Sequence, residues 1–253
     1  MNPAEYDIMS AVEDAHWWYR GLRGMLTNSI RRTGIKAGTA RVLDAGCGTG
    51  ANLRLLQSQL APLWIGGFDF SALALKYCRE KVPDTEIVRH DIRQPFSCSA
   101  PLDLIISMDV LYVPGLEAAR PGMQALADNL KSGGHLMLNL PAYNWLYSEH
   151  DRAVHTSERV TKRQVDRYVE SLGLKTVLST YRLCSLFPLI VAARLPSLLS
   201  RKPETGKARS DTRMPSKLAN VLFSRVLAFE NRMVAAGLRF PFGSSVFSVA
   251  QKP

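Results

Sequence analysis

Cysteine is scarce in this 253-residue sequence, which contains four cysteines. They are scattered along the chain and none forms a CxxC pair: Cys47, Cys78, Cys98 and Cys184. This spacing excludes a cysteine-based zinc site and the disulfide framework typical of small secreted domains. We therefore expect reduced cysteines in a cytoplasmic protein, and no bound metal ion.

Long hydrophobic runs are also absent, although 46% of the residues are hydrophobic. No stretch reaches the roughly 18–20 uninterrupted apolar residues that a membrane-spanning helix needs. Residues 1–10 carry acids and lack an apolar run, so we expect no signal peptide. A charged content of 21% argues against general disorder. The length fits one large α/β domain, with or without an appended lobe.

Acidic residues are few in one late part of the chain. Residues 185–240 contain ten Lys or Arg against three Asp or Glu, and so carry seven of the ten excess positive charges. Because the rest of the sequence is nearly balanced, this pattern favours a local basic face over a protein that coats nucleic acid. Within 185–240, an apolar stretch (187–199) and a basic linker (201–215) precede a predicted amphipathic helix (216–236).

Short apolar runs alternate with helix-like stretches between residues 41 and 184, which predicts a mostly parallel sheet covered on both faces. The predicted strands are 41–44, 64–68, 86–89, 102–107, 135–140, 174–181 and 245–250. The predicted helices are 11–27, 52–60, 71–81, 116–130 and 161–172, with a turn at 131–134 and a polar loop at 141–160. The expected domains are a helical cap (1–40), a core (41–184 and 241–253) and a helical insertion (185–240).

A glycine-rich segment follows the first predicted strand. Glycines at such a turn let the backbone approach a ligand closely and direct the next helix N-terminus towards it. The spacing of Gly46, Gly48 and Ala51, with Asp69 about twenty residues later, fits the dinucleotide-binding fingerprint. By spacing alone, a nicotinamide dinucleotide is therefore one candidate cofactor.

Asp44, two positions before the first glycine, distinguishes between two candidate cofactors. A carboxylate at this position would repel the pyrophosphate of a dinucleotide. It would attract the ammonium and sulfonium groups of S-adenosylmethionine, with a Coulomb energy of roughly 1–4 kcal/mol at a few ångströms. The charge of Asp44 therefore favours S-adenosylmethionine.

Five motifs resemble those of the class I S-adenosylmethionine-dependent methyltransferases, and they occur in the order typical of that family. They are Val42–Gly50 (VLDAGCGTG), Gly67–Ser71 (GFDFS), His90–Ile92 (HDI), Leu102–Leu111 (LDLIISMDVL) and Leu130–Leu136 (LKSGGHL). The resemblance covers about residues 40–180 and is to enzymes of the small-molecule type. It implies an α/β fold with a doubly wound, mostly parallel, seven-stranded Rossmann-like sheet whose last strand is antiparallel.

The resemblance also implies that S-adenosylmethionine is the cofactor. The residues expected to contact it are Asp44, Gly46, Gly48, Gly50, Asp69, Phe70, Asp91, Ile92 and Met108. In the family, the acid at Asp69 holds the ribose hydroxyls, and the pair at Asp91 and Ile92 frames the adenine. Residues 111–113 depart from the pattern, because they read Leu-Tyr-Val where many relatives have Leu-Glu-His-Val, so no catalytic histidine is expected there.

Residues for the acceptor and the chemistry are expected after the fifth strand, since ligands bind at the carboxyl edge of such sheets. His150 and His155 are the candidate catalytic residues, able to deprotonate an acceptor or hold its oxygens. Solvated histidines without a role are the alternative, and this set of side chains is too small for a metal site. Arg159, Tyr112 and Tyr143 are candidate substrate contacts.

An unusual aromatic cluster lies near the N-terminus, at Trp17, Trp18 and Tyr19. Adjacent residues of a helix point about 100° apart, so these side chains cannot all face the core. We expect Trp17 and Trp18 to cover the substrate, and Tyr19 with Arg20 to bind the methionyl carboxylate of the cofactor. The alternative is that one or both tryptophans only pack the helix onto the sheet.

Three functions are compatible with the sequence. The first is an enzyme that methylates a small organic acceptor, apolar or lipid-like, on oxygen or nitrogen. Residues 185–240 would then form either a helical cap on the sheet with a solvated basic linker, or a peripheral contact with a membrane. The second is an RNA-directed methyltransferase that uses the basic segment to bind phosphates, although no RNA-binding motif accompanies it. The third is a non-catalytic module that binds the cofactor.

Overall fold

The computed structural model describes residues 2–199 and 214–253. The strands in these ranges are β1 (Arg41–Ala45), β2 (Trp64–Asp69), β3 (Glu86–Arg89), β4 (Leu102–Met108), β5 (Leu130–Pro141), β6 (Lys175–Arg182) and β7 (Ser245–Gln251). The helices are α1 (Pro3–Val12), α2 (Trp17–Ile30), α3 (Ala51–Leu60), α4 (Ala72–Lys81), α5 (Leu116–Asn129), α6 (Glu149–Ala153), α7 (Lys162–Ser171), α8 (Phe187–Leu199) and α9 (Lys217–Ala235).

The seven strands form one sheet in the order β3-β2-β1-β4-β5-β7-β6. β1 to β5 pair in parallel, whereas β7 is antiparallel to both β5 and β6. This confirms the predicted doubly wound, seven-stranded α/β fold with an antiparallel last strand. Because the carboxyl ends of β1, β2 and β4 meet at one edge, the residues that follow these strands come together there.

The core lies on both faces of the sheet, because side chains alternate along each strand. Leu43 and Ile105 pack with α5 and α7 on one face, while Val42 and Leu104 pack with α2 on the other. All four side chains are almost completely buried. The continuous apolar runs seen in the sequence therefore mark strands that are covered on both sides.

The predicted N-terminal helix over residues 11–27 is wrong in its bounds, because residues 13–16 separate α1 from α2. The imidazole of His16 ends the break by capping α2: its Nδ1 accepts a hydrogen bond from the Trp18 N–H at 3.3 Å. Glu13 is buried in the break, where its carboxylate accepts a hydrogen bond from the Thr49 hydroxyl at 2.6 Å. The break thus attaches the N-terminal helices to the glycine-rich segment.

Two predicted irregular segments are more ordered than expected. Residues 131–134 belong to β5 rather than to a separate turn, and the Gly133 N–H donates to the Lys252 carbonyl at 2.9 Å. The predicted polar loop over 141–160 contains a 3-10 turn (Asn144–Leu146) and α6. Ser148 caps α6 together with Asp151, whose carboxylate accepts from the Ser148 N–H at 2.9 Å.

The predicted insertion contributes α8 and α9, and α9 packs on α2. Gly21 is required at this contact, since a Cβ on it would lie 2.3 Å from Cδ1 of Leu227. The Asn231 amide donates to the Gly21 carbonyl at 2.8 Å, and the Trp17 N–H donates to Oδ1 of Asn220, also at 2.8 Å. The division into cap, core and insertion remains our proposal.

The basic linker predicted over residues 201–215 lies almost entirely outside the described residues. Across 2–199 and 214–253, no helix combines the length and the apolar character needed to cross a membrane.

Candidate active site

A cavity of about 1130 Å³ opens at the carboxyl edge of the sheet. This volume slightly exceeds the range of about 300–1,000 Å³ that ligand pockets span, so it has room for two ligands. The cavity is bounded by the loops after β1, β2 and β4, by α1 and α2, by residues 148–159, and by α8. We call residues 46–50 the glycine loop and residues 148–159 the histidine segment.

The structure brings most of the predicted site residues to this one wall. Those that line the cavity are Trp17, Trp18, Tyr19, Gly46, Gly48, Asp69, Phe70, Asp91, Ile92, Met108, Tyr112, His150, His155 and Arg159. The predicted cofactor residues occupy one part of the wall, and the histidine segment, with Tyr112, occupies another. A single cavity therefore joins the two sets of residues that the sequence analysis treated separately.

The glycine loop turns sharply after β1 and requires glycine for conformational and steric reasons. Gly46 has a φ of +89°, and a Cβ on it would lie 2.3 Å from a methyl carbon of Val110. The N–H groups of Gly46 and Cys47 both donate to the Phe68 carbonyl of β2 at 2.8 Å. The backbone of the loop is thereby held at the cavity wall, where a ligand can approach it closely.

Asp69 connects the end of β2 to the glycine loop. Its Oδ2 accepts a hydrogen bond from the Gly48 N–H at 3.0 Å, and its Oδ1 accepts from the Ser71 N–H at 2.8 Å. Burial raises the pKa of this carboxyl above its ordinary value, while the backbone hydrogen bonds act in the opposite direction. Asp69 therefore both shapes the loop and presents a carboxylate to the cavity.

Asp44 lies at the end of β1, completely buried behind the cavity wall. Neither of its carboxylate oxygens has a hydrogen-bond partner among the described residues. Burial, and then the nearby Asp69 carboxylate, raise the pKa of Asp44 well above its usual range. An uncompensated buried acid next to the glycine loop fits a ligand that carries positive charge, as S-adenosylmethionine does, and not a pyrophosphate.

Four predicted residues do not line the cavity: Asp44, Gly50, Arg20 and Tyr143. Gly50 faces α4 instead, where a Cβ would lie 2.9 Å from Sγ of Cys78. Tyr143 stacks on Tyr181 of β6, with ring centroids 5.2 Å apart. For Gly50 and Tyr143, direct ligand contact stays a prediction that the lining of this cavity does not support.

Arg20 lies on a different face of α2 from the residues that line the cavity. Arg20 is exposed, whereas Arg23 lines the cavity together with Tyr19, four positions earlier. Tyr19 and Arg23 are four positions apart and therefore share one face of α2. Arg20 follows Tyr19 by one position, so its side chain points about 100° away from that of Tyr19. Nη2 of Arg23 donates to the Glu13 carbonyl at 2.6 Å, which places its guanidinium beside the glycine loop. The periodicity of α2 was the signal that could have identified Arg23.

Arg159 is a buried member of the cavity wall that is already engaged in an ion pair. Its Nη1 lies 2.8 Å from Oδ1 and 2.9 Å from Oδ2 of Asp151, and both side chains are almost inaccessible to solvent. Its Nε donates to the Ala142 carbonyl at 2.9 Å. Arg194 of α8 lies 3.7 Å from the same Asp151 carboxylate. Arg159 thus fixes the histidine segment to the end of β5.

His150 and His155 lie on the cavity wall in different settings. His150 is half-buried within α6. His155 is exposed, has a φ of +61°, and places its Nε2 2.9 Å from Oδ1 of Asn2. Their catalytic role stays a prediction.

Asp109, directly after β4, is a site residue that the sequence analysis did not select. It lines the cavity, and both of its carboxylate oxygens accept from Nδ2 of Asn139, at 2.9 and 2.8 Å. Asn139 in turn accepts from Nη1 of Arg182 at 2.9 Å. Asn139 and Arg182 are buried polar residues within strands β5 and β6, and no local motif in the sequence marks them.

Comparisons with known proteins agree with this geometry. A methyltransferase-domain family matches residues 42–134. Trans-aconitate 2-methyltransferase from Azoarcus sp. (strain BH72) is 32% identical over 103 residues, which cover 40% of this chain and 39% of that enzyme. The match thus spans about two fifths of the length of the curated relative.

Solved structures share the fold over nearly the whole chain. A chain from the complex between the Haloferax volcanii Trm112 methyltransferase activator and a methyltransferase superposes with a TM-score of 0.61, at 18% identity and 98% coverage of both chains. An S-adenosylmethionine-dependent methyltransferase from Clostridium acetobutylicum ATCC 824 superposes with a TM-score of 0.59, at 11% identity and 92% coverage of both chains. At these identities the likeness concerns the fold.

The sheet order, the glycine loop and the acid at the end of β2 are typical of a Rossmann-like fold of the methyltransferase type. Residues 42–134 match a methyltransferase-domain family, and the fold of the whole chain is similar to that of an S-adenosylmethionine-dependent methyltransferase.

Proposed function

We propose that this protein transfers a methyl group from S-adenosylmethionine to a small organic acceptor, at oxygen or nitrogen. The observation that carries the proposal is the shared cavity. The residues of the cofactor motifs and those of the histidine segment line one space that has room for both ligands. Because methyl transfer is an in-line displacement, the protein has to align two ligands and exclude water, and a joined cavity provides for both.

The residues available to hold the cofactor fall into three groups. The glycine loop and Asp69 would bind the ribose and methionyl parts, and Asp91 with Ile92 would border the adenine. Arg23 and Tyr19 would contact the methionyl carboxylate. When bound, the cofactor supplies an electrophilic methyl group. The chain itself positions the acceptor against this group and, for a hydroxyl or ammonium acceptor, removes a proton. His150 and His155 remain proposed residues for that step.

The acceptor end of the cavity combines apolar and cationic side chains. Leu183 and Ile190 contribute apolar surface, while Arg159 and Arg194 contribute guanidinium groups that share the single Asp151 carboxylate. These features support an acceptor with an apolar part, as proposed from the composition of the insertion. The similarity to trans-aconitate 2-methyltransferase extends over 103 residues of this chain. It therefore supports S-adenosylmethionine as the methyl donor more than it supports any particular acceptor.

Binding of S-adenosylmethionine and of its demethylated product, S-adenosylhomocysteine, is the first expected result. Calorimetry should show that the protein binds both ligands and does not bind NADH. When the protein is incubated with methyl-labelled cofactor and cell extract, label should appear in the small-molecule or lipid fraction. Tight NADH binding without a signal for S-adenosylmethionine would overturn the assignment. Label in RNA, with a steep dependence of RNA affinity on salt, would favour the RNA-directed alternative. Cofactor binding without transfer to any fraction would favour a non-catalytic module.

We also propose that α9 makes peripheral contact with an anionic membrane surface. The outward face of α9 carries exposed apolar side chains, among them Leu218 (85% exposed) and Phe229 (61%). Lys217 and Arg225 are exposed on the same helix. Glu230, the acidic residue of α9, is buried. An apolar face bordered by cations is complementary to a bilayer with anionic headgroups, whereas a neutral protein partner would not require the cations.

Co-sedimentation with phosphatidylcholine vesicles, with and without added phosphatidylglycerol, should show binding only when the anionic lipid is present. The double variant L218S/F229S is expected to bind at least tenfold more weakly, because burial of each side chain contributes about 1.5–3 kcal/mol. Val177→Ser provides the control, since Val177 is an exposed apolar residue of β6, outside α9. Absence of wild-type binding, or equal binding of the double variant, would reject the membrane contact.

A further inference from the structure

A chain of polar side chains runs from the cavity into the sheet across the carboxyl ends of β4, β5 and β6. Asp109 faces the cavity, Asn139 lies behind it, and Arg182 lies behind Asn139. Asn139 and Arg182 are almost completely buried. Because the Arg182 guanidinium only donates hydrogen bonds, Oδ1 of Asn139 has to face it, and Nδ2 is thereby directed to the Asp109 carboxylate. The arginine thus sets the orientation of the amide that holds Asp109.

The backbone of Asp109 is held in a left-handed conformation. Its φ is +56°, in the left-handed region that residues other than glycine, asparagine and aspartate rarely adopt. The Asp109 N–H donates to the Asn139 carbonyl at 2.8 Å, which continues the pairing of β4 with β5 up to this residue. Strain of this kind persists where the surroundings determine it, and it is concentrated at functional sites. Here it directs the carboxylate into the cavity.

The charged and titratable groups around Asp109 come from several elements. Arg182 approaches from β6 and Arg159 from the histidine segment, while the phenols of Tyr19 and Tyr112 approach from α2 and from the loop after β4. Burial raises the pKa of Asp109 to about 7, against the opposing effects of Asn139 and the two arginines. Arg182 is also shared with the buried Glu230 of α9, so its charge compensates two acids.

We propose that Asp109 accepts the proton of the methyl acceptor, and that Asn139 and Arg182 act as positioning residues for its carboxylate. As the acceptor oxygen or nitrogen forms its bond to the methyl carbon, the carbon–sulfur bond breaks and its electron pair remains on sulfur. The acceptor proton passes to an Asp109 carboxylate oxygen. This inference rests on the proposed methyl transfer and adds to it the identity of the base.

Asp109 has two advantages over the histidines as the base. It follows Met108, at the strand end where the cofactor residues and the histidine segment meet, and its carboxylate is fixed by Asn139. His155, in contrast, is exposed and hydrogen-bonded to Asn2 near the chain terminus. An acid that titrates near neutral pH also responds to its ligands, because a cationic cofactor stabilises the carboxylate form. Cofactor binding would thereby prepare the base for the reaction.

The test uses Asp109→Asn, because asparagine tolerates a positive φ and can still accept a hydrogen bond from Asn139. For the wild type, calorimetry in buffers of different ionisation enthalpy should show proton release on binding of S-adenosylmethionine near pH 7. The affinity of the wild type for S-adenosylmethionine should rise roughly fivefold from pH 6 to pH 8, relative to that of the variant. This factor corresponds to cofactor binding that lowers the pKa of Asp109 by about one unit. Asp109→Asn should release fewer protons and show a weaker pH dependence than the wild type, because Asp44 and Asp69, whose pKa values are also raised, remain in both proteins. It should keep its affinity for S-adenosylhomocysteine, which lacks the sulfonium charge.

The second readout is the transfer of the labelled methyl group from S-adenosylmethionine to the small-molecule or lipid fraction of a cell extract. Asp109→Asn is expected to reduce transfer at least 100-fold, the usual effect of removing a catalytic base. Asp128→Asn makes the same chemical change on the exposed face of α5 and should behave as wild type. Loss of transfer in His150→Ala together with normal transfer in Asp109→Asn would assign the base to the histidine and overturn the proposal.

The outcomes separate this inference from the function on which it rests. If the wild type binds and transfers normally, but Asp109→Asn releases as many protons as the wild type or retains transfer, the assignment of Asp109 fails and the methyltransferase proposal stands. If the wild type binds neither S-adenosylmethionine nor S-adenosylhomocysteine, both proposals fail. A thermal unfolding midpoint of Asp109→Asn close to that of the wild type would show that a loss of transfer does not come from misfolding.

Discussion

Asp69→Ala is expected to weaken the binding of S-adenosylmethionine at least 100-fold, or about 2.7 kcal/mol. The substitution removes the carboxylate that would accept hydrogen bonds from the ribose hydroxyls, each worth about 1.5–3 kcal/mol when one partner is charged. It also removes the acceptor of the Gly48 N–H, 3.0 Å away, and so frees the glycine loop from β2. Titration calorimetry of wild type and variant with the same ligand measures the difference.

Two further variants show which of these contributions is lost. Asp69→Asn keeps one oxygen for the Gly48 N–H but has no charge, so its affinity should lie between those of wild type and Asp69→Ala. Asp84→Ala, an exposed acid before β3, should bind as the wild type does. If Asp69→Ala binds S-adenosylmethionine within threefold of the wild type, Asp69 is not part of the cofactor site.

The fold and the cofactor half of the site could be predicted because their signals are local. Strands buried on both faces appear as continuous apolar runs, and the turn after β1 requires glycine at Gly46, where a Cβ would lie 2.3 Å from Val110. Asp44 is the next-to-last residue of β1 and Asp69 ends β2, and the parallel pairing of these strands brings their carboxyl ends to one edge. A short sequence window therefore contained the information needed to predict the sheet and the glycine loop.

The side of a helix that faces a site is harder to predict from the sequence than a strand or a turn, because it depends on what the helix packs against. Arg20 and Arg23 are three positions apart and have the same charge, so composition does not distinguish them. α2 buries Leu22 and Leu26 on the sheet and contacts α9 through Gly21, and this packing leaves Arg23 towards the cavity and Arg20 towards solvent. The four-residue spacing near α2 links Arg23 to Tyr19, but the contact with α9 that turns this face to the cavity lies about 200 residues later in the chain.

The polar chain behind Asp109 is likewise a product of the strand order. Asn139 and Arg182 lie on β5 and β6, which are separated in the sheet by β7, the last strand of the chain. Each residue alone resembles a polar position of an alternating strand. The Arg182 side chain crosses β7 to reach Asn139, and this contact exists only because the chain end inserts between the two strands. Such a network follows from topology rather than from any local motif.

Removal of the Asp151 carboxylate is expected to give the largest loss of stability at the site. Asp151→Ala leaves the Arg159 guanidinium buried without its partner, and it also removes the cap of α6, since Asp151 accepts from the Ser148 N–H at 2.9 Å. Breaking a buried ion pair from one side costs about 3–5 kcal/mol. For a chain of this size the thermal midpoint should fall on the order of 10 °C, measured by circular dichroism.

Neighbouring substitutions separate the buried charge from general damage to the histidine segment. Glu149→Ala removes an adjacent acid of α6 whose pair with Arg152 is partly exposed at 3.5 Å, so its cost should stay below about 1 kcal/mol. In the double variant D151A/R159M the stranded cation is gone, and part of the lost stability should return. If Asp151→Ala costs no more than Glu149→Ala, the ion pair with Arg159 does not hold the segment in place. If instead the double variant regains stability, Arg159 is confirmed as a structural anchor, and the acceptor has to be bound by other groups of the wall.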